Sequence, residues 1–201
     1  MKSGVKIILS YTQQNKDNYI LLNSPRGWSY GIRPFYDMDR HVGYSMSYSM
    51  DTKTSDEIIF KDNLDKISKF ATEEVEKYIY NKNIKTEYTI EPLYIKTVDG
   101  SIVMPIYMKT KKTHNGEYKI TTPFYNNLNK KLIPSEYIHK SGVVSFSFTL
   151  DSIDWLPFAK KFRVILSPTM IKYTPIHKIA MLRKQLTENV EQEKNEISIT
   201  Y

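Results

Sequence analysis

Large apolar side chains alternate with small hydroxyl side chains in two parts of this chain. The alternation runs through residues 44–50, where tyrosine and methionine alternate with serine, and it returns through residues 144–150. Because successive side chains of a β-strand point to opposite faces, both segments are predicted to be strands with one buried face. Other strand-like runs are predicted at residues 5–12, 19–23, 28–35, 93–98, 101–108, 117–122, 162–167 and 169–173.

Two longer segments carry apolar residues at spacings of three and four, the period of an amphipathic helix. The first helix is predicted over residues 64–80, with Asp62 or Asn63 as its N-cap. The second helix is predicted over residues 175–194, where a threonine and a proline stand at the start of the stripe.

Two dipeptides, Asp99-Gly100 and Asn115-Gly116, predict tight hairpin turns because glycine supplies the positive φ that such turns need. A short helical turn is also predicted around Trp155. Together these elements predict one α+β domain spanning residues 1–201. Its sheet is expected to be mostly antiparallel, with about 9–10 strands, and two main helices pack on it.

The chain has no cysteine, which excludes a disulfide framework, a thiolate zinc site and a cysteine nucleophile. No run approaches the roughly 18 apolar residues of a membrane span. The N-terminal residues also lack the pattern of a signal peptide. We therefore expect a cytoplasmic or virion protein that does not contact a membrane.

Charge is segregated along the chain. Residues 1–108 carry 14 basic and 14 acidic side chains, whereas residues 109–184 carry 14 basic and 4 acidic ones, a net charge of +10. Residues 185–201 carry 1 basic and 4 acidic side chains, a net charge of −3. A basic half joined to a neutral half predicts a face that meets an acidic partner.

The predicted acidic partner is nucleic acid in its single-stranded form. Clusters of lysine and arginine bind phosphates by Coulomb attraction and counterion release, and nearby aromatic rings can stack on unpaired bases. An acidic protein partner and a merely solvated basic surface are the alternatives. The predicted contact residues are Lys109, Lys111, Lys112, His114, Lys119, Lys130, Lys131, Lys160, Lys161, Arg163, Tyr107, Tyr118 and Tyr125.

Asp37 and Asp39 follow a predicted strand, where side chains two residues apart point the same way and can share a divalent ion. The 15 residues 27–41 resemble the metal-binding motif of archaeo-eukaryotic primases. That family also has a downstream Ser-x-His element, which this chain lacks. A metal-dependent nucleotidyltransferase or nuclease is kept as an alternative, against a turn in which Asp37 pairs with Arg40 or Asp39 pairs with Arg33 and the aromatic residues lie in the core.

The four histidines share no metal-ligand spacing, and no nucleophile-elbow, Walker A or dinucleotide-binding glycine motif occurs. We therefore predict a non-enzymatic protein that uses no cofactor.

The acidic tail alternates like a short strand, and such a strand needs a docking surface to be stable. Its three apolar residues, Ile197, Ile199 and Tyr201, are therefore predicted to be assembly contacts with other chains. The overall prediction is a binding and assembly protein, a structural component of virus or phage type, whose basic half contacts nucleic acid. A protein–protein adaptor with an acidic protein partner is the remaining alternative.

Overall fold

The computed structural model describes residues 6–7, 21–37, 40–156 and 159–176 of the chain. A helix, α1 (Ser55–Asn81), and a one-turn 3-10 helix at Pro134–Tyr137 lie among thirteen strands in these residues. The strands are β1 (Lys6–Ile7), β2 (Leu21–Asn23), β3 (Gly27–Ser29), β4 (Ile32–Asp37), β5 (Arg40–Met50), β6 (Thr89–Ile90), β7 (Ile95–Lys96), β8 (Ile102–Tyr107), β9 (Thr110–Lys112), β10 (Tyr118–Ile120), β11 (Phe124–Tyr125), β12 (Gly142–Leu156) and β13 (Lys161–Pro175).

Eleven of these strands form one sheet, and seven of them follow one another in the order β11-β13-β12-β3-β5-β8-β7. The strands β1 and β2 add to β12, β4 adds to β5, and β6 adds to β13. The pairing is antiparallel except where β6 and β11 pair with β13. The strands β9 and β10 form a separate two-stranded sheet, a hairpin between β8 and β11.

The central pair, β12 and β13, is 15 residues long on each side and holds the sheet together. Its register shifts twice, once between Ser147 and Phe148 and once between Leu150 and Ser152. Pro168 lies at the first shift, where a proline is tolerated because the ladder is already interrupted. The two strands predicted on either side of Pro168 are therefore one continuous strand.

The helix α1 begins with a capping box. The Thr54 hydroxyl accepts the Glu57 N–H at 3.3 Å, and the Glu57 carboxylate accepts the Thr54 N–H at 2.9 Å. The helix therefore starts well before the predicted Asp62 or Asn63 cap. Its buried residues are Phe60, Leu64, Ile67, Ala71 and Val75; the last four belong to the apolar stripe that predicted the helix, and the fifth residue of that stripe, Tyr78, is half-buried.

The core lies between α1 and one face of the sheet. On β5, Met46, Tyr48 and Met50 are buried while the serines between them are half-buried, which confirms the predicted alternation. Aromatic rings join the helix to the sheet, because Phe60 lies within 6.2 Å of the Tyr48 and Phe146 ring centres in edge-on geometry. The serine side of β5 therefore faces away from the core.

The prediction of an α+β fold with two main helices is wrong. The described residues form a β-rich fold with a single long helix, and Pro175, the predicted start of the second helix, ends strand β13. The remainder of the predicted helix, residues 177–194, lies outside the described residues. The helical turn predicted around Trp155 is also replaced by strand, because β12 stays paired with β13 as far as Leu156.

Both predicted glycine turns are confirmed. Gly100 and Gly116 have φ values of +85°, and they lie between the antiparallel pairs β7–β8 and β9–β10. Within the part of the chain that the structure covers, no helix is both long and apolar enough to span a bilayer.

Candidate nucleic-acid interface

Exposed positive charge is concentrated on the basic hairpin, which we define as residues 109–120 and which carries four lysines and one acidic residue, Glu117. Lys111, Lys112 and Lys119 are exposed on its two strands, and the strand register places Lys111 directly opposite Lys119. None of these lysines has a carboxylate within 4.0 Å in the described residues. Like charges in opposed positions destabilise an antiparallel pair, and a bound anion would relieve that repulsion.

The rest of the predicted hairpin cluster is also exposed. Lys109 leads into β9, and its backbone N–H donates a hydrogen bond of 2.8 Å to the Thr122 hydroxyl. His114 lies in the turn beside Gly116. The hairpin is therefore a basic projection whose side chains reach solvent on both strands.

An aromatic cluster lies against the hairpin. It consists of Tyr36, His41, Tyr44 and Tyr118. The His41 ring centre is 5.5 Å from Tyr36, 4.9 Å from Tyr44 and 5.3 Å from Tyr118. Tyr118 belongs to β10, so the cluster joins the basic hairpin to the end of the β4–β5 hairpin.

Local strand pairing explains how these rings meet. Tyr36 and His41 are cross-strand partners at the end of β4–β5, beyond a register shift between Phe35 and Tyr36. A bulge of this kind re-aims side chains. His41 is held by a contact of 2.7 Å between its Nε2 atom and the Gly43 carbonyl oxygen. Tyr36 remains 57% exposed, so its ring has a surface available for stacking.

A second group, the outer cluster, consists of Phe35, Tyr107 and Arg163 on the serine side of the sheet. The Phe35 and Tyr107 ring centres are 5.2 Å apart, and the Arg163 guanidinium lies 5.3 Å from the Tyr107 ring centre. Tyr107 pairs with Ser45, so it shares the face that points away from the core. Burial raises the pKa of the Tyr107 phenol.

Glu91 neutralises much of the charge at the outer cluster. Its carboxylate accepts hydrogen bonds from Arg163 Nε at 2.6 Å and from Arg163 Nη2 at 3.4 Å. Lys161 Nζ lies 3.9 Å from the same carboxylate. Burial, the largest single influence, lowers the pKa of Arg163, but the hydrogen bond to Glu91 and the charges of Glu91, Tyr107 and Asp154 together raise that pKa above its ordinary value. Arg163 and Lys161 therefore both form ion pairs with Glu91, whereas the lysines of the basic hairpin have no carboxylate partner among the described residues.

Beside the outer cluster, the serine side of β5 forms an open depression of about 490 Å³. Tyr30 and Arg33 are exposed at its rim, and Ser45 and Ser47 line it. The small serine side chains of β5 leave space for a ligand to approach the backbone closely. Such a ligand would lie between Tyr30 and Arg33 at the rim of the depression.

The structure disperses the other predicted contacts. Lys130 and Lys131 are exposed in the loop after β11, and Tyr125 is half-buried where β11 pairs with β13 beside Lys172. Lys160 is exposed in the turn between β12 and β13. Within the described part of the chain, no hydrogen bond, ion pair or ring contact joins these residues to the basic hairpin.

The predicted metal pair is only partly described. Asp37 ends β4 opposite Arg40 in the ladder, whereas Asp39 lies outside the described residues. No group of three histidine, aspartate or glutamate side chains in the described ranges could hold a metal ion. The predicted assembly residues Ile197, Ile199 and Tyr201 also lie outside those ranges.

Sequence reasoning missed Tyr36, His41 and Tyr44 as members of this site. They occur in a segment rich in aromatic residues. Sequence reasoning predicted a candidate metal site for that segment, because Asp37 and Asp39 lie in it. The signal that could have found them is a hairpin whose two arms both end in aromatic side chains.

Comparison with solved structures shows the fold to which this arrangement belongs. The chain is similar to gp2.5, a single-stranded DNA-binding protein encoded by bacteriophage T7, with a TM-score of 0.54 and 16% sequence identity. The alignment covers 78% of this chain and 92% of that protein. At this identity the likeness shows a common fold, an OB-fold-like β structure with one helix.

A further similar structure is the single-stranded DNA-binding protein from bacteriophage Enc34 in complex with single-stranded DNA. Its TM-score is 0.43 at 16% identity, over 77% of this chain and 86% of that one. No family model and no curated protein sequence match the chain.

Proposed function

We propose that this chain binds single-stranded nucleic acid without catalysing a reaction. The observation that carries the proposal is the contact between the basic hairpin and the aromatic cluster. Tyr118, on the same hairpin as four exposed lysines that have no carboxylate partner among the described residues, packs edge-on to His41 beside the exposed Tyr36, and its cross-strand partner is Lys112. Lysines that follow a backbone and rings that stack on bases are the two components of sequence-tolerant single-strand binding.

The aromatic cluster favours a single strand over a duplex. Stacking on Tyr36 requires a base whose face is free, and in a duplex each base face is covered by its neighbours. The depression along β5, with Tyr30 and Arg33 at its rim, would extend the contact surface beyond the hairpin. We therefore expect affinity for flexible single strands and weak selectivity for sequence.

The fold supports the same proposal. The OB-fold-like arrangement is one on which single strands are commonly bound, and the similar T7 protein is described as a single-stranded DNA-binding protein. The prediction of a non-enzymatic protein agrees with that description. The prediction of a virion structural component has no such support, and we do not extend the proposal to it.

Fluorescence anisotropy tests this proposal. Wild-type protein is titrated into a labelled dT oligomer of about 16 nucleotides, the upper site size of one OB-fold, and into a duplex of equal length. The same titration is done with the Lys111→Ala/Lys112→Ala/Lys119→Ala variant. A matched control, Lys66→Ala/Lys69→Ala/Lys96→Ala, removes the same charge from exposed positions elsewhere.

We expect the single strand to bind more tightly than the duplex, and the hairpin variant to lose at least tenfold in affinity while the control loses less. If both variants lose the same affinity, binding depends on the net charge of the protein and not on the position of the lysines, which would contradict the proposed site. Tight binding of an acidic protein surface without binding of either nucleic acid would contradict the proposed function.

A further inference from the structure

A second aromatic site lies at the C-terminal end of α1, apart from the basic hairpin. A cavity of about 150 Å³ is enclosed there by the helix end, the segment that follows it and the tip of β12–β13. Its lining residues are Tyr78, Ile79, Ile84, Thr86, Tyr88, Trp155 and Phe162. We call this cavity the aromatic pocket.

The rings of the aromatic pocket are already arranged for stacking. Trp155 and Phe162 are cross-strand partners whose ring centres are 4.6 Å apart at a tilt of 41°. Tyr88 and Tyr78 approach Phe162 edge-on at 5.7 Å and 6.4 Å. Phe162 is buried, whereas Trp155 and both tyrosines are half-buried, so the last three can contact a ligand that enters.

The size of the aromatic pocket selects the kind of ligand. An apolar cavity of about 150 Å³ accepts one benzene ring, so a single six-membered ring matches the volume of the aromatic pocket better than a fused double ring. The hydroxyl groups of Tyr78, Tyr88 and Thr86 add polar atoms to an otherwise apolar lining. A flat heterocycle with polar edges is therefore suited to it.

The surroundings of the aromatic pocket carry exposed positive charge. Lys85 lies between the lining residues Ile84 and Thr86, Lys82 caps α1, and Lys160 lies in the β12–β13 turn. The Lys160 carbonyl accepts the Thr89 N–H at 3.1 Å, which fixes that turn beside the segment after α1. None of these lysines pairs with a carboxylate among the described residues, and Glu87 is the one acidic residue of the segment 82–88.

We propose that the aromatic pocket binds one pyrimidine base of a single strand, stacked against Trp155, while the neighbouring lysines contact the adjacent phosphates. This inference rests on the proposed function, because it assigns a base subsite to the same ligand. It adds a selectivity that the open aromatic cluster does not provide. A strand of pyrimidines fills the aromatic pocket, whereas a strand of purines does not.

The two tryptophans of the chain make the test direct. In the Trp28→Phe variant, Trp155 is the one tryptophan left, so its fluorescence reports on the aromatic pocket. This variant is titrated with dT and dA oligomers of equal length, and binding is followed in parallel by anisotropy. The cavity is then filled by Ile84→Phe, with Ile59→Phe on the exposed side of α1 as the matched control.

We expect dT to quench Trp155 in step with binding, and dA to bind at least about fivefold more weakly, the lower end of what one stacked base contributes. Ile84→Phe should abolish both the quenching and the preference for dT, while Ile59→Phe should change neither. Melting temperatures of the two isoleucine variants establish that both are folded. The titration of the Trp28→Phe variant with dT and dA tests the proposal independently of these two variants.

Different failures separate this inference from the proposed function. Binding of dT that depends on the hairpin lysines but leaves Trp155 fluorescence unchanged overturns the aromatic pocket alone. Equal affinity for dT and dA also overturns it. If neither oligomer binds, both proposals are overturned. If a tyrosine-containing acidic peptide quenches Trp155 fluorescence but dT does not, the aromatic pocket binds a protein ligand and the proposal of a base subsite is wrong.

Discussion

Lys111 and Lys119 lie directly opposite each other across the basic hairpin, and neither has a carboxylate partner among the described residues. Opposed like charges in an antiparallel pair oppose the pairing itself. An arrangement that lowers the stability of the free hairpin is explained by a ligand that is negatively charged along its length.

Replacing Lys119 by glutamine is therefore expected to have opposite effects on stability and on binding. The free energy of unfolding should rise by a few tenths of a kcal/mol, because one repulsion is removed. The affinity for a dT oligomer should fall. Urea denaturation and anisotropy measure the two quantities, with Lys66→Gln as a control that changes neither strongly. A variant that is both less stable and weaker in binding would contradict this account.

The exposed ring of Tyr36 is expected to stack on a base. Tyr36→Ala should cost about 1–3 kcal/mol of binding free energy, the range measured for single stacked bases, while leaving the salt dependence unchanged. Tyr80→Ala is the matched control, since Tyr80 is 86% exposed on α1 and distant in sequence from the hairpins. Equal losses in the two variants would show that Tyr36 has no particular role.

Glu91 is expected to weaken binding by competing with phosphate for Arg163. Glu91→Gln keeps the shape of the side chain but frees the charge of Arg163 and that of Lys161. Affinity for a single strand should rise several-fold and depend more steeply on salt. A folded Glu91→Gln variant with unchanged affinity would place the outer cluster outside the path of the ligand.

The capping box of α1 predicts a specific dependence of stability on pH. The Glu57 carboxylate accepts backbone N–H groups of Thr54 and Lys53, and these bonds hold its pKa below the ordinary value. Because the pKa is lower in the folded state, the stabilisation is complete above the ordinary pKa and is lost as pH falls through the folded one.

The difference in stability between wild type and Glu57→Gln should therefore be largest near neutral pH. It should shrink below about pH 4, the ordinary range of a glutamate. Thr54→Ala, which removes the other half of the capping box, should cost about 1 kcal/mol. Urea denaturation at both pH values measures these effects. A difference for Glu57→Gln that grows on acidification would contradict the sign argued here.

The sequence predicts those parts of the fold that are determined by residues close together in the chain. The alternation at residues 44–50 and the turns at Gly100 and Gly116 are set by neighbouring residues, and the structure confirms them. The start of α1 was missed because its first turns expose Ile58 and Ile59, which interrupt the apolar stripe. The strand through Trp155 was missed because pairing with β13 overrides the local preference for a turn.

The candidate site shows the same limit. Lysines 111, 112 and 119 could be grouped from sequence because one hairpin carries them. Tyr36 and His41 join Tyr118 only through a tertiary contact between two hairpins, and no spacing in the sequence encodes it. The sequence also could not predict the ion pair between Arg163 and Glu91, because these two residues are 72 positions apart in the chain.

The salt dependence of binding to a dT oligomer tests the central claim most directly. If Lys111, Lys112 and Lys119 contact phosphates, replacing all three by alanine should reduce the slope of log K against log salt concentration by about 2, at roughly 0.7 per contact on a single strand. The control variant of Lys66, Lys69 and Lys96 should keep the wild-type slope. Equal slopes for wild type and the hairpin variant would contradict the assignment of the basic hairpin as the nucleic-acid interface.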